Sequence, residues 1–410
     1  MNTLTGTHIQ AADATVTVQS NAREVTDWAR RYFGPWWNAT DVPGQGISTG
    51  PVVAADVDGT AYAELAGLVN DGRDHEDVFF AKAATRVSRD GGDLVAVSPE
   101  EGLAYRSNPA TGRLTLAGRR AEPVALAAAR LARESIRGQL LGDGWAVLHS
   151  SAVVRDSDRA TVLTFGSKGA GKTTTALLLA QRGWSLLAND RVFVRPTADR
   201  IDVLPWPSAA ALGLGLLDAL GWFDLARERL KAGQHLHPTQ HQQVTDALLA
   251  GRRQPLWEPD GKREMKVQVF PDQFPDWFGV RLATGGEAAT LLFPQIQPDA
   301  VPGIADGGRT LSEHDFMSGK TEDRYPDIFG LSRGIDGGGR PDVRAAVADR
   351  LAALPHHSVT LNHDTAASAD FLRKLASTTG PAKTTAPGPA GAPGGEVCGP
   401  GAGGWALRGM

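Results

Sequence analysis

Along the chain, the spacing of apolar and polar residues predicts an N-terminal region in which helices and strands are mixed. Apolar residues three and four apart predict helices over residues 25–37 and 123–141. Short apolar runs separated by Gly and Asp clusters predict strands at residues 52–55, 94–97 and 114–116. We therefore expect a smaller α/β domain over residues 1–122.

The next stretch predicts strands and a helix in regular succession. Residues 145–154 and 160–165 predict strands, residues 166–171 a glycine-rich loop, residues 172–181 a helix and residues 184–188 a third strand. A helix that connects two strands in this way implies parallel strands joined by a right-handed crossover. The pattern indicates an α/β fold.

The second half of the chain alternates less regularly. Residues 208–257 predict two helices on either side of a His-rich linker, inside a helical insertion of about residues 208–260. Two strands follow at residues 266–270 and 290–293, and two helices at residues 341–354 and 365–375.

Two segments carry little regular pattern. Residues 301–340 are polar and rich in Gly and Asp, and a segment of this length inside a compact domain is typical of functional or disordered loops. Residues 379–410 are rich in Gly and Pro, which predicts a flexible tail. The core domain is therefore expected over residues 123–378.

The amino-acid composition excludes several classes of protein. Of 410 residues, 41% are hydrophobic and 21% charged, which excludes a disordered acidic chain and a coiled coil. The formal net charge of −4, without a basic stripe, argues against a nucleic-acid partner. The single cysteine, Cys398, excludes a disulfide framework and a metal site built from cysteines.

The first residues and the most apolar stretch of the chain indicate whether a secretory signal or a membrane span is expected. The first twenty residues lack the basic start and the apolar run of a secretory signal. The most apolar stretch, residues 209–223, is interrupted by Asp218 and is too short to span a bilayer. We therefore expect a cytoplasmic protein without a membrane partner.

A phosphate-binding motif lies between the strand predicted at residues 160–165 and the helix predicted at residues 172–181. Residues 166–173 read GSKGAGKT, which fits the Walker A pattern in the context that the motif requires. Its glycines let backbone N–H groups turn towards phosphate oxygens at the positive end of a helix. Lys172 would reach the β- and γ-phosphates, and the Thr173 hydroxyl would take a Mg²⁺ coordination position. With ATP and Mg²⁺ as cofactors, the predicted nucleotide-binding residues are Gly166, Ser167, Lys168, Gly169, Ala170, Gly171, Lys172, Thr173 and Thr174.

An aspartate lies at the end of the strand predicted after the phosphate motif. Asp190 comes directly after the apolar residues 184–188 and Asn189. At this place a carboxylate can hold Mg²⁺ through water or take a proton from an attacking hydroxyl. An Asp that caps the next turn is the structural alternative. The spacing behind the phosphate motif favours the functional interpretation.

Three stretches together resemble the catalytic core of HPr kinase/phosphorylase and, more closely, the HPr-kinase-like kinases of bacterial biosynthetic clusters. They are residues 148–154 (LHSSAVV), the phosphate motif and residues 182–192 (RGWSLLANDRV). The close resemblance covers residues 148–195, and a weaker one extends to about residue 375. It implies a P-loop kinase core that uses ATP and Mg²⁺, and a homo-oligomer, because the HPr-related enzymes form hexamers.

The resemblance assigns roles to individual residues. His149 matches a His that the family places on the strand before the phosphate-loop strand, and Asp190 matches the aspartate that acts as base towards the acceptor hydroxyl. Where the family has a first aspartate for the metal and the His, this chain has Asn189, whose amide oxygen can still be a ligand. The implied catalytic residues are Asp190, His149 and Lys172, and the implied metal ligands are Thr173, Asn189 and Asp190. The family's region for binding HPr and for phosphorolysis is not recognisable in this sequence.

Two further cations are candidates for substrate binding. Lys262 and Arg263 follow a turn at Asp260 and Gly261, which brings both charges to one place. They can bind the γ-phosphate or an anionic substrate. A solvated turn fits the sequence equally well.

These residues predict an enzyme, a Mg²⁺- and ATP-dependent kinase that transfers the γ-phosphate to a hydroxyl. The acceptor is either a Ser of a peptide or protein or a small metabolite. Residues 208–260 and 301–340 are the candidate acceptor site and lid, since neither belongs to the shared core. One alternative is a P-loop ATPase that transfers phosphate to water, although the sequence offers no convincing water-orienting residue. A nucleotide-binding module without an acceptor is the other, and Asn189 favours it.

Two other patterns favour structural roles. Asp56, Asp58 and Gly59 match the nucleophile motif of haloacid-dehalogenase phosphatases, but no acidic pair closes an apolar strand before the phosphate motif, and Asp-Gly predicts a β-turn. Zinc sites favour His ligands in a fixed tetrahedron. Here residues 235–241 predict an exposed linker, and residues 356–363 a structural strand near the end of the core.

Overall fold

The computed structural model describes the chain at residues 4–44, 50–71, 75–108, 111–317, 326–335 and 337–378. The predicted tail at 379–410, with Cys398, and part of the segment 301–340 lie outside the described residues. Two nine-stranded sheets with helices packed on them make up the fold. The predicted α/β class is confirmed.

The first sheet is formed by the N-terminal strands. These are β1 (Thr5–Ala11), β2 (Ala14–Ser20), β3 (Asn38–Pro43), β4 (Val52–Val57), β5 (Glu76–Phe80), β6 (Ala83–Asp90), β7 (Asp93–Ser98), β8 (Leu103–Asn108) and β9 (Arg113–Gly118). Their order is β3-β1-β2-β4-β9-β8-β7-β6-β5, and β4 runs parallel to both its neighbours. The other pairs are antiparallel.

Three helices cover this sheet: α1 (Arg23–Phe33), α2 (Gly59–Asp71) and α3 (Ala121–Gly142). Because side chains alternate along a strand, each sheet face has its own apolar set. Val95 and Val97 of β7 pack with α2, whereas Ala96 joins the core formed with α1 and α3. Helix α3 packs on the first sheet, although all but its first two residues lie beyond the predicted domain boundary at residue 122. That boundary stays a prediction.

Helix α2 begins at the Asp-Gly pair. Asp58 Oδ1 accepts hydrogen bonds from the backbone N–H groups of Thr60 and Ala61, at 2.8 and 3.0 Å, which caps the helix. Asp56 Oδ1 accepts from the backbone of Asn21 at 2.8 Å. The β-turn predicted here is wrong, since a side-chain cap turns the chain directly into a helix.

The second sheet and its neighbours come from the rest of the chain. The strands are β10 (Ala146–Leu148), β11 (Ser151–Val154), β12 (Ala160–Thr164), β13 (Ser185–Ala188), β14 (Val192–Pro196), β15 (Ile201–Pro205), β16 (Ala210–Leu212), β17 (Leu256–Trp257), β18 (Glu264–Met265), β19 (Val267–Val269), β20 (Gly286–Ile296), β21 (Gly303–Ile304) and β22 (His356–Leu361). The helices are α4 (Lys172–Gln181), α5 (Leu214–Ala219), α6 (Phe223–Lys231), α7 (Gln242–Leu249), α8 (Gln273–Phe278), α9 (Pro341–Ala352) and α10 (Thr365–Ser377). Where two helices were predicted between residues 208 and 257, the structure has three, α5 to α7.

The order in the second sheet is β10-β14-β15-β20-β12-β11-β13, with β22 on β20 and β21 on β22. Strands β12 and β13 both run antiparallel to β11, so they are parallel to one another with β11 between them. The prediction of parallel strands is confirmed, but they are not neighbours. The pairs β16–β19 and β17–β18 form two small separate sheets.

The two ends of the second sheet meet. Only residues 149–150 connect β10 to β11, and only residues 189–191 connect β13 to β14, although these strands lie at opposite ends of the sheet. The first connection takes three steps along the chain and the second takes four, which span at most about 11 and about 14 Å, so the sheet must curl until its ends are close. Leu148 pairs with Val192, and Ala152 with Ala188, on the two sides of this closure. We call the two connections, residues 149–150 and 189–191, the seam.

Large aromatic side chains fill the cores, and six tryptophans among them are buried: Trp36, Trp37, Trp145, Trp184, Trp206 and Trp222. Trp257, in contrast, has 55% of its surface exposed. Within the described parts of the chain, no helix combines the length and apolarity needed to cross a membrane.

The His-rich segment between α6 and α7 is only partly exposed. His235 is exposed as predicted, but His237 is buried among Trp28, Tyr32 and Phe270 with ring centroids 4.8–5.8 Å away. For His237 the prediction of an exposed linker is therefore wrong. Its Nδ1 accepts a hydrogen bond from the backbone N–H of Thr239. Aromatic residues of α1 form the apolar surroundings of His237. The sequence of the linker alone does not reveal these neighbours.

Burial of His237 makes stability depend on pH. Burial, and then the charges of Arg31 and Arg133, lower its pKa from 6.5 to about 4. The unfolded chain therefore binds a proton more readily, and stability is full above pH 6.5 and falls as the pH drops to about 4. The two pKa values correspond to a loss of about 3 kcal/mol.

Urea unfolding at pH 7.5 and pH 4.5 measures this loss. His237→Gln should lose less stability between the two pH values than the wild-type chain, whereas His235→Gln should behave like wild type. An equal loss in both variants would show that other groups cause the acid sensitivity.

Candidate functional site

The glycine-rich loop, residues 166–171, connects the end of β12 to the start of α4. Gly171 caps α4 with a φ of 104°, a left-handed conformation that side chains other than Gly rarely adopt. A Cβ at Gly171 would also lie 3.0 Å from two side-chain carbons of Ile296. The left-handed backbone favours Gly at this position, and the close approach of Ile296 adds to that preference. Backbone N–H groups at the start of a helix carry the positive end of its dipole, which suits an anion.

Lys172 is the first residue of α4 and bends back over the loop. Its Nζ donates to the carbonyl oxygen of Gly166 at 2.6 Å and to that of Ser167 at 3.3 Å. Burial lowers the pKa of Lys172 below its ordinary value, and the negative charge of Asp190 opposes this shift. Asp190 and Lys172 therefore act on each other in one site. Ser167, Lys168 and Gly169 are exposed at the tip of the loop, while Ala170 and Thr174 are half-buried.

Thr173 and Asn189 link the loop to the seam. The Thr173 hydroxyl donates to the backbone carbonyl of Asn189 at 3.2 Å, and the Ser151 hydroxyl donates to the same oxygen at 2.6 Å. The Asn189 side chain is buried, and its Oδ1 accepts from the Ser208 hydroxyl at 3.3 Å. The amide oxygen is thus engaged by Ser208. The predicted role of Asn189 as a metal ligand stays a prediction.

Asp190 lies half-exposed beside a buried arginine. Its Oδ2 is 3.2 Å from Nη1 of Arg191, whose side chain is only 6% exposed. The Arg191 guanidinium in turn lies over the Trp206 ring, 5.7 Å from the centroid. Moving a buried guanidinium away from its partners costs free energy. The Arg191–Asp190 ion pair therefore favours one orientation of the carboxylate.

His149 lies on the other connection of the seam. Its backbone N–H donates to the carbonyl of Asp315 at 2.7 Å, and Leu148 next to it forms a β-bridge with Phe316. Ser150 binds both backbone groups of Thr164, the last residue of β12. His149 is therefore at the same edge of the sheet as the glycine-rich loop, and its catalytic role stays a prediction.

Two cations of this site were not singled out in the sequence. Arg309 Nη1 lies 3.9 Å from where a Cβ on Gly166 would be. The charges of Arg309 and Lys266 both lower the pKa of Lys172. The Gly- and Asp-rich composition of residues 301–340 predicts a functional or disordered loop, but no local pattern distinguishes Arg309 within it.

The predicted substrate cations lie on a hairpin. Lys262 and Arg263 are exposed in the turn between β17 and β18. The Lys262 backbone N–H donates to Asp260 Oδ1 at 3.0 Å, within the turn itself. The charge from this part of the chain that acts on Lys172 is that of Lys266, one residue beyond β18. Substrate binding by Lys262 and Arg263 stays a prediction.

The oxygen donors at the seam fit a magnesium ion that arrives with a nucleotide. Mg²⁺ is usually held by one or two carboxylates, by substrate phosphates and by water, rather than by a full protein cage. Thr173 and Asp190 offer a hydroxyl and a carboxylate beside the loop, which matches that donor set. Across the residues that the structure describes, no group of three or more His, Cys, Asp or Glu side chains could hold a metal ion.

Among known proteins, the comparison finds a likeness to solved structures but none to a family model or a curated protein. No family model matches the chain, and no curated protein matches it. Among solved structures, the HPr(Ser) kinase/phosphatase from Coxiella burnetii is similar over 37% of this chain, with 14% sequence identity and a TM-score of 0.19. The chain spans about 60% of the length of that protein. A likeness this low assigns neither a family nor an activity to the chain.

Proposed function

We propose that the chain is a Mg²⁺- and ATP-dependent phosphotransferase that transfers the γ-phosphate of ATP to a hydroxyl group. The observation that carries the proposal is that Asp190, half-exposed and held by Arg191, acts electrostatically on Lys172 of the glycine-rich loop. A phosphate cradle and a fixed carboxylate in one site are what transfer to a hydroxyl requires.

In this reaction the acceptor hydroxyl oxygen forms a bond to the γ-phosphorus. The bond from that phosphorus to the β,γ-bridging oxygen breaks, and the electron pair leaves with ADP. The hydroxyl proton passes to the Asp190 carboxylate. Arg191 engages Oδ2 of that carboxylate at 3.2 Å, so Oδ1 is the oxygen that we assign to the proton.

The loop residues bind and orient the nucleotide. Backbone N–H groups at the start of α4 would face the phosphates, and Lys172 would turn from the Gly166 and Ser167 carbonyls to phosphate oxygens. Thr173 would hold Mg²⁺ directly and Asp190 would hold it through a water molecule, which leaves Oδ1 available for the proton. A Mg²⁺ ion held there would neutralise part of the phosphate charge.

The experiment incubates the purified chain with γ-labelled ATP, Mg²⁺ and a size-fractionated lysate of its host. We expect label to appear in an acceptor, and the fraction that carries it distinguishes a small metabolite from a peptide or a protein. Label that appears only as free phosphate would identify an ATPase instead. Tight ATP binding with no turnover would leave a nucleotide-binding module and would overturn the proposal.

A further inference from the structure

A second cation faces the glycine-rich loop from a distant part of the chain. Nη1 of Arg309 is 3.9 Å from the Cβ position of Gly166, the first glycine of the loop. The side chain of Arg309 is 39% exposed, so solvent and solutes can reach it. Lys172 Nζ binds the carbonyl of the same glycine. Two positive groups therefore converge at Gly166.

The guanidinium is fixed by a buried carboxylate. Nη2 of Arg309 lies 2.6 Å from Oδ1 of Asp315, whose side chain is 4% exposed. The other carboxylate oxygen, Oδ2, accepts from the backbone N–H and the hydroxyl of Ser312 at 2.9 and 3.2 Å. Asp315 is held in turn by the seam, because its carbonyl accepts from His149. Each oxygen of Asp315 thus has a partner, and its orientation determines that of the guanidinium.

Two further contacts hold Arg309 in place. Its guanidinium carbon lies 5.1 Å from the ring centroid of Phe293 on β20, and its backbone N–H donates to Ser358 Oγ on β22 at 3.3 Å. A cation held on three sides before a ligand arrives loses little entropy when the ligand binds. These three contacts, rather than free rotation of the side chain, determine where the remaining N–H groups of the guanidinium point.

We propose that Arg309 binds the γ-phosphate of ATP as the second cation of the site, with Asp315 as its positioning residue. The role deepens the proposed function and rests on it. When the bond to the β,γ-bridging oxygen breaks, negative charge is spread over the γ-phosphoryl oxygens and the leaving oxygen. Arg309 stabilises that charge from within the same chain, as an arginine does in phosphoryl-transfer enzymes that supply it in cis.

The electrostatics of the site agree with an anion between the two cations. The charge of Arg309 lowers the pKa of Lys172, so the two groups repel each other. A phosphate bound between them would relieve this repulsion. The charge of Asp315 acts in the opposite sense and raises the pKa of Lys172, so the ion pair compensates part of this repulsion before a phosphate binds.

The test compares ATP with ADP, which needs no acceptor. Arg309→Ala should weaken ATP binding about tenfold or more and leave ADP binding nearly unchanged, because only ATP carries the γ-phosphate. Asp315→Asn should reduce the preference for ATP in the same direction but less. The matched control is Arg344→Ala, which removes an ion pair at 3.7 Å to Glu313 of the same turn. Arg344→Ala should keep the wild-type preference.

Turnover gives the second readout. Arg309→Ala should lower kcat about 100-fold or more, and millimolar guanidinium should restore part of it. The same addition should not rescue Asp190→Asn, which lacks a carboxylate rather than a guanidinium. If Arg309→Ala binds ATP and ADP as the wild-type chain does and turns over at the same rate, Arg309 is only a structural residue.

The two proposals fail in different ways. A wild-type chain that prefers ATP but transfers no phosphate, together with an Arg309→Ala variant that loses this preference, overturns the kinase and supports the role of Arg309. A wild-type chain that transfers phosphate, together with an Arg309→Ala variant that does so equally well, overturns only the role of Arg309. A chain that binds neither nucleotide overturns both.

Discussion

Asp190→Asn will bind ATP nearly as tightly as the wild-type chain but transfer the γ-phosphate about a thousandfold more slowly. Asn has the shape of Asp but cannot accept the acceptor's proton, and a positioned base contributes about 10²- to 10⁴-fold. The carboxylate is half-exposed beside the glycine-rich loop and is held by the buried Arg191. Single-turnover transfer of labelled phosphate and a separate ATP titration distinguish the two steps.

The control for this result is Asp158→Asn. Asp158 forms a comparable ion pair with Arg155 at 2.7 Å, and that pair contributes to folding rather than to the site. Its loss should change the melting temperature but not the transfer rate. If Asp190→Asn transfers phosphate at the wild-type rate, Asp190 is not the base, and the proposed step has to be rewritten with another proton acceptor.

Lys172→Ala should abolish transfer and weaken ATP binding about 100-fold. The side chain is half-buried, and its ammonium group donates to the loop carbonyls of Gly166 and Ser167. With a phosphate in the loop, the same group would form charge-assisted bonds that the smaller side chain cannot replace. Isothermal titration with ATP measures the affinity, and Lys231→Ala, which removes a surface ion pair with Glu228, is the control.

The pH dependence of ATP binding gives an independent check on Lys172. Burial lowers its pKa, so the free chain loses this proton at a lower pH than an ordinary lysine does. ATP affinity should accordingly decrease as the pH rises through that lowered pKa. Lys172→Ala should lack this decrease. An ATP affinity of wild-type strength in Lys172→Ala would contradict a phosphate role for the lysine.

Much of the chain could be predicted because its elements depend on neighbouring residues. The helices predicted at residues 123–141 and 341–354 correspond to α3 and α9, because apolar spacing over three turns is a local property. The succession of strand β12, glycine-rich loop and helix α4 was also predicted, because each of these elements depends on consecutive residues. The β-turn at Asp58 was wrong, since one side-chain cap was enough to start a helix there.

Burial could not be predicted where it depends on distant elements. His237 stands in a polar segment, but α1 covers it with Trp28 and Tyr32. The position of β11 between β12 and β13 also follows from pairing across the sheet rather than from the order of strands along the chain. Sheet order of this kind depends on contacts between residues far apart in the sequence.

By itself, the sequence determined the glycine-rich loop, the lysine that follows it and the carboxylate at the end of the next strand. These features need only the conformations of consecutive residues: glycine at positive φ, a helix start and an apolar strand. The tertiary structure decided which charges join them. The curled sheet brings its two ends together at the seam, and Asp315 bonds to His149 there and fixes Arg309 beside Gly166. Because Arg309 follows Gly166 by more than 140 residues, only the packing of the sheet could place that cation at the loop.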